Sequence, residues 1–157
     1  MHFLSSILEQ YIADHSQAEP QLLQRLTRET HLKVIQPRMI TGHFQGRVLS
    51  LLSKIINPKN ILEIGTYTGY SALCLAEGLQ KEGTLHTIDI NEELHGMQRR
   101  YFDESGFGHQ IVQHTGDALK IIPDLEVVFD LVFIDAEKVS YDHYFEAALK
   151  KCRSGSV

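Results

Sequence analysis

One stretch constrains this chain more than any other: Asn60-Ile61-Leu62-Glu63-Ile64-Gly65-Thr66-Tyr67-Thr68-Gly69-Tyr70-Ser71. A short apolar run opens it, as expected of a strand buried on both faces. Gly65 follows, and without a Cβ it permits a tight turn and a close approach to a ligand. Past Gly69, the spacing of Tyr70, Leu73, Cys74 and Ala76 predicts a helix reaching about Lys81. Strand, glycine turn and helix form the opening unit of a doubly wound α/β domain, which binds ligands beyond the carboxyl ends of its strands. The spacing Glu63-x-Gly65-x-x-x-Gly69 lacks the middle glycine of the dinucleotide pattern G-x-G-x-x-G. Alone, it fits an ordinary strand-to-helix turn as well as a nucleotide-binding one.

The alternation continues downstream. Residues 61–64, 85–89, 110–114 and 131–134 are predicted strands, separated by helical patterns and by Gly83, Gly106 and Gly108. Asn91 is placed to cap a helix, with Glu92 and Glu93 in its positive first turn. Ahead of the first strand, three helices are predicted. The first carries Phe3, Leu4, Ile7, Leu8, Tyr11 and Ile12, and the second runs from Pro20 through Leu22, Leu23 and Leu26. The third starts at Thr41-Gly42, bears Phe44, Val48, Leu51, Leu52, Ile55 and Ile56, and stops at Asn57-Pro58. These helices either cap a ligand pocket, cover one face of the sheet or form the face of a homodimer. A last helix carries Tyr141, Tyr144, Phe145, Ala148 and Leu149, and Gly155 to Val157 reads as the approach to a fifth strand. A sheet of four strands leaves an open edge. The expectation is therefore a single domain, 1–157, with helices over 1–57 and an incomplete α/β core over 58–157 whose last strands are missing.

With 157 residues and 43% hydrophobic content, the chain is long enough for one domain with a sizeable core. A formal charge of −5 gives no basic footprint for nucleic acid. Cys74 and Cys152 are too few for a disulfide framework, Glu9 and Asp14 interrupt any signal-peptide core, and no apolar run has the length of a membrane span. A cytoplasmic protein without membrane contact is expected. None of the nine histidines forms an H-x-x-x-H pair, so packing or surface use is expected of them rather than ligation.

Gly65, Asp89, the Gly116-Asp117-Ala118 turn and Asp135 fall at the carboxyl ends of successive predicted strands. Asp89, about 20 residues past the glycine turn, is placed to accept ribose hydroxyls, or else caps a helix. Asp117 would sit beside a flat base or cap the short helix after it. Asp135 emerges from four apolar residues, where a carboxylate is paired, hydrogen-bonded or metal-bound. Lys138 either shares that pocket or is a solvated helix-start lysine.

Together these segments resemble a known family. Gln36-Pro37-Arg38-Met39, Gly46-Arg47, the stretch from Ile61 to Ser71, Ile88-Asp89, Gly116-Asp117-Ala118 and Phe133-Ile134-Asp135-Ala136-Glu137-Lys138 are similar to the metal-dependent O-methyltransferases of the caffeoyl-CoA and catechol group, including small bacterial members. The resemblance implies a Rossmann-like S-adenosylmethionine-dependent methyltransferase fold. It implies that Glu63, Gly65, Tyr67 and Ser71, with the Thr41 backbone, hold the methionine part of S-adenosylmethionine. Asp89 would grip the ribose, with Ile90, Asp117 and Ala118 flanking the adenine. Asp135 would ligate a divalent metal, magnesium or calcium, beside the cofactor, and Lys138 would be the general base. Glu137 stands where many relatives have Asp. The other two ligands of the family, an Asp-Asn pair after the next strand, would fall beyond Val157. The implied reaction is methyl transfer to a catechol-like or phenolic hydroxyl of a small molecule, or to 5-hydroxyuridine in tRNA. A catalytically silent binding or dimerisation module and a nicotinamide-dependent oxidoreductase are the alternatives, the latter weakened by the absent middle glycine and Tyr-x-x-x-Lys pair.

Overall fold

Four parallel strands set the frame: β1 (Asn60–Ile64), β2 (Thr84–Asp89), β3 (Ile111–Thr115) and β4 (Leu131–Ile134), in the spatial order β3-β2-β1-β4. The computed structural model describes residues 5–157, so Phe3 and Leu4 of the first predicted helix lie outside the described residues. From β1 the chain steps outward through β2 to β3, then returns to lay β4 on the other side of β1. The order reverses between β1 and β4, and such a reversal opens a crevice at the strand tips.

Side chains alternate across the sheet, as the period of two requires. Ile61, Leu85, Ile111 and Leu131 turn to one face, where they pack with residues of α2 (Gln21–Lys33), α3 (His43–Ile56), α4 (Tyr70–Ala76) and α5 (His95–Glu104). Leu62, Ile64 and Ile88 turn to the other, under α6 (Ala118–Asp124) and α7 (Tyr141–Leu149). Leu23, Leu26 and Leu49 belong to the first of these clusters, so α2 and α3 share a core with the sheet.

One helix is shorter than predicted, and another turns its apolar stripe outward. The helix after β1 ends at Ala76 rather than near Lys81, because the chain there lies against α3: a Cβ on Gly78 would overlap the backbone of Ser53. The face that α3 buries is Gly46, Arg47, Leu49, Ser50 and Ser53. Its small residues let α4 approach closely, with Tyr70 and Cys74 set against Gly46. The apolar stripe of α3 is turned outward instead, with Leu51 57% and Ile55 71% exposed. Ahead of it, α1 (Ser6–His15) buries none of its residues. At the other end Val157 donates to the Asp130 carbonyl and its own carbonyl accepts from Val132, the start of pairing along β4.

Candidate functional site

The tips of the strands are stitched together by their backbones. Asp135 N donates to the Ile64 carbonyl at 2.8 Å, Gly65 N to the Ile88 carbonyl at 2.9 Å, and Gly116 N to the Asp89 carbonyl at 2.8 Å. Gly65, at φ +103°, lies so close to the Asp135 carbonyl that no side chain fits between them. Above this contact is a crevice of about 240 Å³. Met39, Ile40 and Thr41 form one wall, the turn from Gly65 to Ser71 the floor, and Asp135 and Lys138 the opposite rim.

Beneath the floor lies Glu63, with no solvent exposure at all. Thr66 and Thr87 share a hydrogen bond, and the Thr87 hydroxyl donates in turn to Glu63 Oε2. The Ser71 hydroxyl lies close to this carboxyl, but Glu63 Oε1 accepts no hydrogen bond of proper geometry. Burial pushes this carboxyl up to about 7; the Ser71 and Thr87 hydroxyls pull it down, and the Asp89 and Asp135 carboxylates push it further up. An orphaned buried acceptor is costly, and its position suits a ligand that brings a cationic donor.

Asp89 Oδ2 accepts from Tyr67 N at 2.7 Å, and Oδ1 from Asn91 N at 2.9 Å. Each oxygen keeps a further lone pair for a ligand hydroxyl. The price is paid at Tyr67, held at φ +48°, whose carbonyl also accepts from Gln98 Nε2 at 2.7 Å. Asp89 is thereby tied to the crevice floor. Thr41, Gly65, Tyr67, Ser71, Asp135 and Lys138 line the crevice itself. Besides Glu63 and Asp89, three further expected contacts lie outside its lining. Asp117 caps α6 by accepting from Leu119 N at 3.0 Å, Ala118 is buried in the cluster beneath α6 and α7, and Ile90 is 78% exposed beyond the tip of β2.

Sequence reasoning missed Thr87 and Gln98. The first was within reach, since Glu63 and Thr87 are partners in register on neighbouring strands. The second depends on how α5 packs and leaves no trace in spacing.

Among the described residues, no three His, Cys, Asp or Glu side chains converge. Asp135 is a single oxygen ligand, and an ion that takes six oxygens is not held by one carboxylate. The residues present therefore do not make a metal site. Among the described residues one pair of histidines meets, His86 Nδ1 to His114 Nε2 at 3.0 Å. Ring centroids 5.3 Å apart in planes only 13° from parallel place the two rings edge to edge in a common plane.

A family model described as O-methyltransferase matches residues 13–157. The chain is 37% identical to caffeoyl-CoA O-methyltransferase 2 of Zea mays over 161 residues, which are 98% of this chain and 61% of the relative. It is 36% identical to the catechol O-methyltransferase of Niastella koreensis over 125 residues, 77% of this chain and 57% of the relative. It thus spans about three fifths of the length of these relatives. Among solved structures, the Bacillus cereus O-methyltransferase in complex with SAH superposes with a TM-score of 0.89 and 31% identity, covering 96% of this chain and 70% of that one. The O-methyltransferase TomG from Streptomyces achromogenes, in complex with SAM, gives 0.87 and 33%, covering 94% and 67%. With the family model matching residues 13–157 and a relative 37% identical over 98% of the chain, this chain belongs to the O-methyltransferase family.

Proposed function

We propose that this chain binds S-adenosylmethionine in the crevice between the tips of β1 and β4 and serves methyl transfer to a phenolic hydroxyl of a small molecule. The observation that carries the reading is the orphaned oxygen of Glu63, fully buried below a floor of glycine and hydroxyl side chains. A ligand ammonium satisfies that oxygen and lowers the cost of ionising the carboxyl. Asp89, fixed by two backbone amides, offers its free lone pairs to vicinal hydroxyls of a ribose. Thr41, just ahead of α3, brings the start of that helix to a carboxylate.

The bound sulfonium supplies an electrophilic methyl group. The residues of the chain supply alignment, which converts a bimolecular encounter into an oriented one. The acceptor oxygen forms a bond to the methyl carbon while the carbon–sulfur bond breaks and its electron pair stays on sulfur. In this reading Lys138, exposed at the rim with Asp135, takes the phenolic proton as the neutral amine. No step is assigned to a metal, because Asp135 alone does not hold one.

Calorimetric titration with S-adenosylhomocysteine tests the cofactor half of this reading, and saturable 1:1 binding is expected. Tritiated methyl transfer to catechol, to a hydroxycinnamoyl-CoA ester and to hydroxyuridine-containing tRNA, with and without magnesium, sorts the acceptors. Binding without transfer to any of them identifies a cofactor-binding module; no binding removes the proposal.

The outward stripe of α3 supports a homodimer. Phe44, Val48, Leu51, Leu52 and Ile55 recur at three- and four-residue steps and are all more than a third exposed. A two-fold dimer would bury this same face on both copies. Light scattering is expected to give twice the mass of the chain, and one mass after Leu51→Lys with Ile55→Lys. A monomeric wild-type chain ends this assignment. Among the described residues, no helix is long and apolar enough to cross a membrane.

A further inference from the structure

Residues 34–42 link α2 to α3 and contribute Met39, Ile40 and Thr41 to the crevice wall. Their backbone bonds are local: Val34 N to the Thr30 carbonyl, Met39 N to Gln36, Ile40 N to Pro37 and Gly46 N to the Gly42 carbonyl. None of the segment is fully buried, with Ile35 84% and Met39 61% exposed, and Ile40 packs on the core. Among the described residues, one side-chain donor from elsewhere in the chain is bonded to its backbone. The Tyr67 hydroxyl donates to the carbonyls of Ile35 at 3.2 Å and Gln36 at 3.1 Å, a single proton shared between two acceptors. Both ends of this tether are strained, Tyr67 at φ +48° and Gln36 at φ +59°.

The same residue is fixed to Asp89 through its amide and to Gln98 through its carbonyl. Tyr67 therefore joins three parts: the wall of the crevice through its phenol, the tip of β2 through its amide, and α5 through its carbonyl. We infer that residues 34–42 are a lid over the crevice and that the Tyr67 hydroxyl is its catch, setting how fast a ligand enters and leaves. The identity of that ligand rests on the reading above; the catch itself does not. The tether is small enough to be released. A net hydrogen bond of ordinary strength changes an opening equilibrium by roughly three- to tenfold, and strain at both ends favours release. A ligand hydroxyl drawn to Asp89 meets the carboxylate that positions the Tyr67 amide, so occupancy of that position is transmitted to the lid.

The test is Tyr67→Phe in the full chain, which removes the hydroxyl and keeps the ring and the amide. Hydrogen exchange without ligand is expected to quicken roughly three- to tenfold at the Met39 and Ile40 amides, while the amides of β1 and β2 exchange as in the wild type. With S-adenosylhomocysteine, association and dissociation rates are both expected to rise by more than the affinity changes. Unaltered exchange at Met39 and Ile40 overturns the catch, as does faster exchange spread over the whole sheet, which marks a merely structural hydroxyl. A wild-type chain that binds no S-adenosylhomocysteine ends the cofactor reading but leaves the exchange result to decide on the lid.

Discussion

The carbonyl oxygen of Asp135 occupies the space that a side chain on Gly65 would need. This contact closes the tip of β4 over the tip of β1 and makes the crevice floor. Gly65 also has φ +103°, a conformation that L residues rarely adopt. Gly65→Ala therefore meets two penalties, neither relieved by moving a flexible side chain. A loss of about 3 kcal/mol is expected, seen as a fall in Tm of roughly 6–12 °C. Differential scanning calorimetry checks it, and a variant within 2 °C of the wild type contradicts the backbone contact.

Arg47 is the buried pin between α3 and α4. Its guanidinium reaches both carboxylate oxygens of Glu77, at 2.8 and 3.2 Å, and donates to Cys74 Sγ at 3.3 Å. Ser50 and Lys54 complete the shell of Glu77, and against the cost of burial Arg47, Lys54 and Ser50 together hold the Glu77 carboxyl at about 2. Truncating Arg47 leaves Glu77 with the exposed Lys54 as its one remaining cation. Arg47→Ala is expected to cost about 3 kcal/mol, measured by urea unfolding. Arg47→Met with Glu77→Leu, which removes both charges, should recover most of it. If the double variant is no better than the single, packing rather than charge accounts for the loss.

Much of this was legible in the sequence because it depends on local pattern. The four strands stand within a residue of their predicted bounds, since each is short and closed by glycine or an acid. Gly65, Asp89 and Asp135 were placed at strand tips by counting alone, and the backbone bonds between those tips bear that placement out. What was not legible depends on partners distant in sequence. The apolar stripe of α3 reads equally as a pocket cap, a cover for the sheet or a dimer face, and that Gly46, Ser50 and Ser53 pack inward instead follows from the close approach of α4. Asp117 has the same local sequence whether it faces a base or caps a helix, and the cap to Leu119 emerges only from the fold. The positive φ of Tyr67 is equally hidden, being imposed by Asp89 and Gln98 from other elements.

The paired histidines give a prediction in acid. Burial, with His114 alongside, lowers the His86 imidazole to about 4, against 6.5 as its ordinary value. Between those values the unfolded chain binds a proton that the folded one does not. The His86 contribution is complete above pH 6.5 and is lost as pH falls towards 4. His86→Gln, which keeps a donor and an acceptor for His114, removes this proton uptake. The variant should gain on the wild type by about 2 kcal/mol between pH 7 and pH 4.5, read from chemical unfolding at each pH. A constant difference across that range refutes the assignment.

Glu63 carries the opposite dependence. Its folded carboxyl titrates near 7, against an ordinary value of 4.5. Between these values the folded chain holds a proton that the unfolded chain has released. Stability therefore falls as pH rises from 4.5 to 7 and is level above, a loss of about 3 kcal/mol if nothing else intervenes. Glu63→Gln abolishes the ionisation and keeps an acceptor for the Thr87 hydroxyl. Relative to the wild type, this variant should gain stability from pH 5 to pH 8, most visibly without ligand. In the presence of S-adenosylhomocysteine the order should reverse, because a ligand ammonium beside Glu63 Oε1 favours the carboxylate and finds only a poorer partner in the amide. Affinity at pH 8 is expected to drop by at least tenfold, about 1.4 kcal/mol. Thermal shifts of both proteins across pH 5–8, with and without S-adenosylhomocysteine, make the comparison. A Tm difference independent of pH would falsify the raised carboxyl, and one unchanged by the ligand would detach Glu63 from the cofactor.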